Sequence, residues 1–224
     1  MSDRRVRKPH YSIDVVLLTA VHGQLAVLLS RSSEGREKWT LPWEGARAGE
    51  PLEGAAARIS KSVLGDEPGW REQIGAFSDG KRHPSDAEVS VAYAALVPMG
   101  TASPVGGAHA WFTLADLPAL APRQRLMLDG AVSLIRTRMD QSPVAFRLLP
   151  QMFTLTELQH MYELLLAKRL HKASFRRALQ GAWLVEPTDE WRNEGRGRPA
   201  QLYRYSPRKR RPVQRGIRLD LLSS

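Results

Sequence analysis

The chain has no cysteine among its 224 residues, which removes disulfides and thiolate metal sites together. It also lacks any apolar run near the ~18 residues that a bilayer-spanning helix requires. Residues 1–12 are basic and hold no apolar stretch ahead of the first strand, so they do not read as a secretory leader, and a cytoplasmic protein with no membrane partner is expected. Internal repeats are missing, and the one compositionally biased stretch is the basic tail. What is present is a composition able to bury an ordinary core, with 42% hydrophobic and 25% charged residues.

Acidic residues are in short supply: 23 Asp and Glu stand against 33 Lys and Arg. The imbalance is uneven. Residues 150–224 hold 15 bases and 7 acids, whereas residues 1–149 hold 18 and 16. A near-neutral body followed by a basic third suggests a separate module that meets a polyanion. A solvated tail would give the same count, so the motifs must decide.

Ile13–Ala20 and Gln24–Ser30 are β-branched apolar runs around His22–Gly23 and predict a hairpin. After the polar loop Ser32–Lys38 the period changes. Leu52, Ala55, Ala56, Ile59 and Val63 fall on one face of a helix over Leu52–Leu64, stopped by Gly65. Ile74–Phe77, Val89–Val97 and Trp111–Leu114 read as further strands, and Arg125–Met139 as a closing helix. The order of elements gives an α+β protein, with a linker at Asp140–Pro143 dividing domains 1–143 and 144–224.

The second domain opens with Thr154-x-x-Glu157, a capping box ahead of the apolar stripe Leu158, Tyr162, Leu165. A basic break, Lys168–His171, leads to the helix Lys172–Ala182, where Phe175, Ala178, Leu179 and Ala182 share one face and Arg176, Arg177 and Gln180 the other. Such a helix suits a major groove: Arg reaches guanine edges and Gln adenine edges, while Lys grips phosphates. Trp183–Glu186 and Gln201–Tyr205 read as strands flanking the polar loop Asp189–Arg198, a hairpin with a Gly/Arg tip. The arrangement of helix, basic turn, Arg-faced helix and basic hairpin is that of a winged helix-turn-helix. The candidate DNA-binding residues are Lys168, Arg169, Lys172, Ser174, Arg176, Arg177, Gln180, Arg196, Arg198 and Arg204, with the tail Arg208–Arg211 as a non-specific phosphate anchor.

Leu41–Gly65 (LPWEGARAGEPLEGAAARISKSVLG) resembles the Nudix box, G-x5-E-x7-R-E-U-x-E-E-x-G-U, without a gap. Leu41-Pro42, Gly49-Glu50, Ala55-Ala56, Arg58 and Gly65 match. The resemblance implies a Nudix-like α/β/α sandwich. In the hydrolases that share the motif, three helix glutamates hold the divalent ions that activate water, and here those places are Ile59, Ser62 and Val63. Two of these offer no oxygen and the third a weak one, so no metal, no cofactor and no catalytic residue is expected, and the chain should not be an enzyme. Trp43-Glu44 replaces the usual glycine pair and reshapes the cleft.

Nearly the whole chain resembles the Nudix-related transcriptional regulators of NAD metabolism, a Nudix domain fused to a winged helix. The resemblance rests on FTLTELQ-x-x-YE (Phe153–Glu163), SFRR (Ser174–Arg177), GRPAQLYRY (Gly197–Tyr205), KRHP before VSVAY (Lys81–Tyr93), Trp111-Phe112 and Leu117-Pro118. His83 stands where the family has Asp, and Arg123-Gln124 where it has Asp-His. The resemblance implies a regulator, a repressor, that binds double-stranded DNA at a palindromic operator as a homodimer and senses ADP-ribose or another phosphorylated metabolite in its Nudix cleft. Arg31, Arg47, Arg58 and Arg82 are the candidate effector-binding residues, since the topology would bring these bases near one another. Arg58 can equally pair with Glu50, and Arg47 can simply be solvated. Two rival readings are a Nudix diphosphate hydrolase and a non-specific nucleic-acid-binding protein.

Overall fold

The computed structural model describes residues 10–32, 38–100, 104–139, 141–193 and 199–206. Their packing divides into two units: residues 10–18, 27–95 and 104–131 form one, and residues 19–26, 96–100 and those from 132 onward form the other.

The seven-stranded sheet begins with β1 (Tyr11–Val21) and β2 (Gln24–Arg31), joined through His22 and Gly23 at φ 48° and 74°. Two successive left-handed residues make the hairpin turn whose twist matches that of the strands, and glycine takes the second place without a Cβ penalty. The remaining strands are β3 (Trp39–Thr40), β4 (Trp43–Glu44), β5 (Trp70–Phe77), β6 (Val89–Leu96) and β7 (His109–Thr113). Their order is β3-β2-β1-β6-β5, with β4 paired to β1 and β7 to β2. Residues 12–19 of β1 are buried without a break, so this strand is covered on both faces. Helix α1 (Leu52–Leu64) buries Ala55, Ala56, Ile59, Ser60 and Val63 and ends at Gly65 with φ 79°, whose N–H reaches the Lys61 carbonyl at 2.8 Å. Helix α2 (Pro122–Arg138) lies against β5 so closely that a Cβ on Gly130 would stand 3.0 Å from Ile74 Cγ2.

In the second unit a 3-10 turn (Val144–Leu148) leads to β8 (Met152–Phe153), α3 (Leu155–Leu166), α4 (Lys172–Ala182), β9 (Val185–Arg192) and β10 (Ala200–Tyr205), with sheet order β8-β10-β9. Its core is aromatic. Tyr162 meets Phe175 edge-on at 5.3 Å between centroids, and Phe146 meets Phe153 at 5.7 Å. Two helices and a hairpin packed on this core are a winged helix, and the whole is the expected α+β protein.

The larger differences from the sequence expectation lie in β5, β7, α2 and β9. β5 starts at Trp70 rather than Ile74, β7 runs His109–Thr113, and α2 starts at Pro122. Trp183 does not begin a strand: it is the left-handed C-cap of α4, at φ 54°. β9 then continues through Asp189–Arg192, which the sequence assigned to a loop. Pairing of Trp191 with Gln201 and of Arg192 with Ala200 holds this polar stretch extended, and Pro187 is tolerated because β9 is an edge strand. No described helix is long and apolar enough to cross a membrane.

Candidate DNA-reading face and effector cleft

The capping box forms as the sequence predicts. The Glu157 amide donates to Thr154 Oγ1 at 3.1 Å and the Thr154 amide to Glu157 Oε2 at 2.7 Å. The second oxygen of Glu157 accepts from Arg192 Nη1 at 2.7 Å, so one carboxylate starts α3 and anchors the far end of β9. Glu163 organises the turn between the helices, accepting from the Leu170 amide at 2.9 Å, Gln159 at 3.1 Å and Arg169 at 3.2 Å. Burial pushes its pKa up, and these three donors more than offset that, holding the carboxyl below its ordinary range. Ala167 takes the left-handed C-cap of α3 at φ 54°.

On α4, Phe175 and Leu179 are buried, while Arg176, Arg177 and Gln180 are exposed. Lys168, Arg169 and Lys172 are exposed in the turn and first residues before them. Ser174 is half-buried, with Oγ 3.2 Å from His171 Nδ1. Arg204 is paired across the wing hairpin to Glu186 at 3.0 Å. Arg196, Arg198 and Arg208–Arg211 lie outside the described residues. A cavity of about 790 Å³ in this unit is lined by His22, Met99, Glu157, Glu163, Lys168 and Arg169, among others. Two carboxylates face two bases there, so it has no net attraction for an anion.

In the first unit, Arg58 donates Nε and Nη2 to the two oxygens of Glu50, both at 2.8 Å, and also pairs with Glu44. This bidentate contact first, and then the Arg47 amide at 2.8 Å, hold the Glu50 pKa down to about 2, while Glu50 raises that of Arg58. The structure thus joins Arg47 and Arg58 through Glu50. Arg31 sits apart at the β2–β3 edge, its guanidinium 5.5 Å from the Trp39 ring, which meets Phe112 at 4.8 Å. Arg82 is half-buried, and its carbonyl accepts from the Arg123 amide at 3.3 Å. On α1, Ile59 and Val63 point into the core at 1% and 5% exposure, and Ser62 Oγ donates to the Ile59 carbonyl at 2.9 Å. No group of three or more His, Asp or Glu is arranged to hold a metal ion among the described residues.

Sequence reasoning missed two features. One is a closed polar network beneath β4. Asp14 Oδ1 receives His83 Nε2 at 2.8 Å and Gln124 Nε2 at 2.9 Å, and Oδ2 receives Ser12 Oγ at 2.8 Å. Gln124 Oε1 accepts the Leu41 amide at 3.0 Å, Arg123 Nη1 reaches the Ala87 carbonyl, and the Trp43 indole meets the His83 ring edge-on at 5.4 Å. Asp14 inside an apolar strand was the available signal, along with the family departures at 83, 123 and 124, which here prove to be neighbours. The other feature is Arg71. Its Nε is buried with no hydrogen-bond partner, and its Nη2 lies 3.9 Å from Glu53.

Residues 145–205 match the family model of the NrtR DNA-binding winged helix domain. The ADPR responsive transcriptional repressor NtrR of Acinetobacter baylyi is 30% identical over 207 residues, covering 88% of this chain and 82% of that relative. The crystal structure of Shewanella oneidensis NrtR complexed with a 27mer DNA is similar at TM-score 0.79 and 31% identity, covering 88% of this chain and 94% of the other. A MutT/nudix family protein from Enterococcus faecalis shares the fold, at TM-score 0.69 and 22% identity over 92% of this chain and 90% of its own.

Proposed function

The chain belongs to the NrtR family of DNA-binding transcriptional regulators, and on that footing we propose that it is a repressor whose Nudix-like domain, residues 1–143, senses an ADP-ribose-like metabolite. Residues 144–224 then read the operator. The observation that carries this is the α4 face: Arg176, Arg177 and Gln180 stand exposed on a helix whose opposite face is locked by Phe175 and Leu179. Groups fixed in that way can meet base edges without first being ordered. Lys168, Arg169, Lys172 and the wing arginines would position the module on phosphates.

The Acinetobacter relative is named as ADPR responsive, and the same class of effector suits the bases Arg47 and Arg58, which meet at the box loop, with Arg31 and Arg82 as further candidates. Since Arg58 already serves Glu44 and Glu50, its part is to hold the box loop, with Arg47 nearer the ligand. Hydrolysis of that effector is not part of the function. Ile59, Ser62 and Val63 stand at the places of the metal-binding glutamates, and the first two available carboxylates, Glu44 and Glu50, are spent on Arg58. A palindromic operator, a homodimer and a place of work beside the chromosome in the cytoplasm complete the proposal.

The test is a titration of duplexes tiled across the DNA flanking the gene, against scrambled duplexes, with and without ADP-ribose. One duplex should bind about a thousandfold or more above background, and ADP-ribose should change its occupancy without being consumed. Equal affinity for scrambled DNA would leave only a charged patch, and chelator-sensitive turnover of ADP-ribose would make the chain a hydrolase.

A further inference from the structure

Arg71, at the start of β5, is packed at 12% side-chain exposure, yet its Nε–H has no acceptor. Among the described residues its ionic neighbour is Glu53, at 3.9 Å and with a side chain 74% exposed, too loose for a hydrogen bond. Strand alternation puts Arg71 and Gln73 on one face of β5, and the guanidinium lies beside Glu53 in the first turn of α1. Tyr93 of β6 is there too, its hydroxyl donating to Gln73 Oε1 at 3.2 Å. A guanidinium, a phenol, an amide and the first turn of the box helix therefore converge on one place. A buried donor left without a partner is costly and uncommon in folded proteins, and an oxyanion would complete it.

We infer that Arg71, with Tyr93 and Gln73 beside it, is a phosphoryl-binding subsite of the sensor domain, completed when an oxyanion of the effector accepts from Arg71 Nε and Nη. This rests on the reading of the first domain as a sensor of a phosphorylated metabolite, and deepens it by assigning a residue that the box motif does not contain. Glu53 is the competing anion: it lies on the same guanidinium and repels the ligand. Arg71 and Glu53 thus act in opposite directions on one affinity.

The experiment is calorimetry of the full chain with ADP-ribose and with inorganic pyrophosphate, on the native protein, Arg71→Gln and Glu53→Gln. Arg71→Gln should weaken binding of both ligands about tenfold or more, the worth of a charge-assisted hydrogen bond, and Glu53→Gln should tighten it. Thermal melting and operator affinity without ligand should stay as in the native protein, which separates a lost ligand contact from a damaged fold. Binding of ADP-ribose that is indifferent to Arg71→Gln overturns this inference and leaves the sensor reading standing. Arg71-dependent binding of pyrophosphate with no binding of ADP-ribose keeps the subsite and removes ADP-ribose as the effector. A native protein that binds neither overturns both, and Arg71 Nε is then served by water alone.

Discussion

His83 Nε2 stands 2.8 Å from Asp14 Oδ1, and neither side chain has any exposure to solvent. The Ser85 amide donates to Nδ1 at 3.1 Å, which leaves Nε2 to carry the proton that meets Asp14. His83→Ala should therefore lower stability by about 1–3 kcal/mol, the cost of removing one donor from a buried carboxylate that keeps Gln124 and Ser12. His83→Asp, although it installs the residue common in the family, should be worse, because two carboxylates would then face each other in a closed volume. Urea denaturation of the two variants checks the order, and an Asp variant as stable as the native chain would refute it.

Loss of base readout should differ from loss of phosphate contact. Arg176→Ala or Arg177→Ala should cost about 1–3 kcal/mol at the operator and relax sequence preference. Lys168→Ala should weaken operator and scrambled DNA alike and reduce the salt slope by about one unit. Anisotropy titrations at several salt concentrations separate the two classes. If Arg176→Ala lowers both affinities equally, α4 is not the reading helix.

Glu50 should make part of the stability acid-sensitive. Its folded-state pKa is about 2 against an ordinary 4.5, so folding favours the ionised form. That contribution is complete above about 4.5 and disappears as pH falls toward 2. Glu50→Gln, which cannot ionise, should be less stable than the native chain at pH 6 and approach it across that window. A stability gap independent of pH would mean that the Arg58 contact acts through packing alone.

Ala167→Gly should stabilise the protein. At φ 54° the Ala167 Cβ crowds its own backbone, and removing it should yield about 0.5–1 kcal/mol after the entropy of a freer unfolded chain is deducted. A shift of the urea midpoint in either direction is the readout, and a downward shift would show that the methyl group packs usefully.

The helices were legible because their signals are local. The apolar face of α1, its Gly65 stop and the Thr154–Glu157 box each lie within a few turns of chain, and the observed bounds of α1 and α4 coincide with those read from periodicity. β3 and β4 were not legible, since two residues are too few to display a period of two. Nor was the length of β9, where Glu186, Pro187, Asp189 and Glu190 all argue against a strand and only pairing with β10 overrides them. The candidate bases on α4 appear where the sequence put them. The polar network and Arg71 stayed hidden because their members come from six separate stretches, around residues 12–14, 41–43, 53, 71–73, 83–93 and 123–124, and meet only in the folded chain.

The inward aim of Ile59 and Val63 bears on how this helix could be re-engineered. At 1% and 5% exposure, a glutamate placed at either position would enter the apolar interior before it could meet an ion, which costs the burial of a charge. A carboxylate cluster built on this helix would demand several simultaneous changes and a re-aimed face. Packing commits these two places to the core, so an engineer who wants new chemistry in this domain has to look to the residues around them.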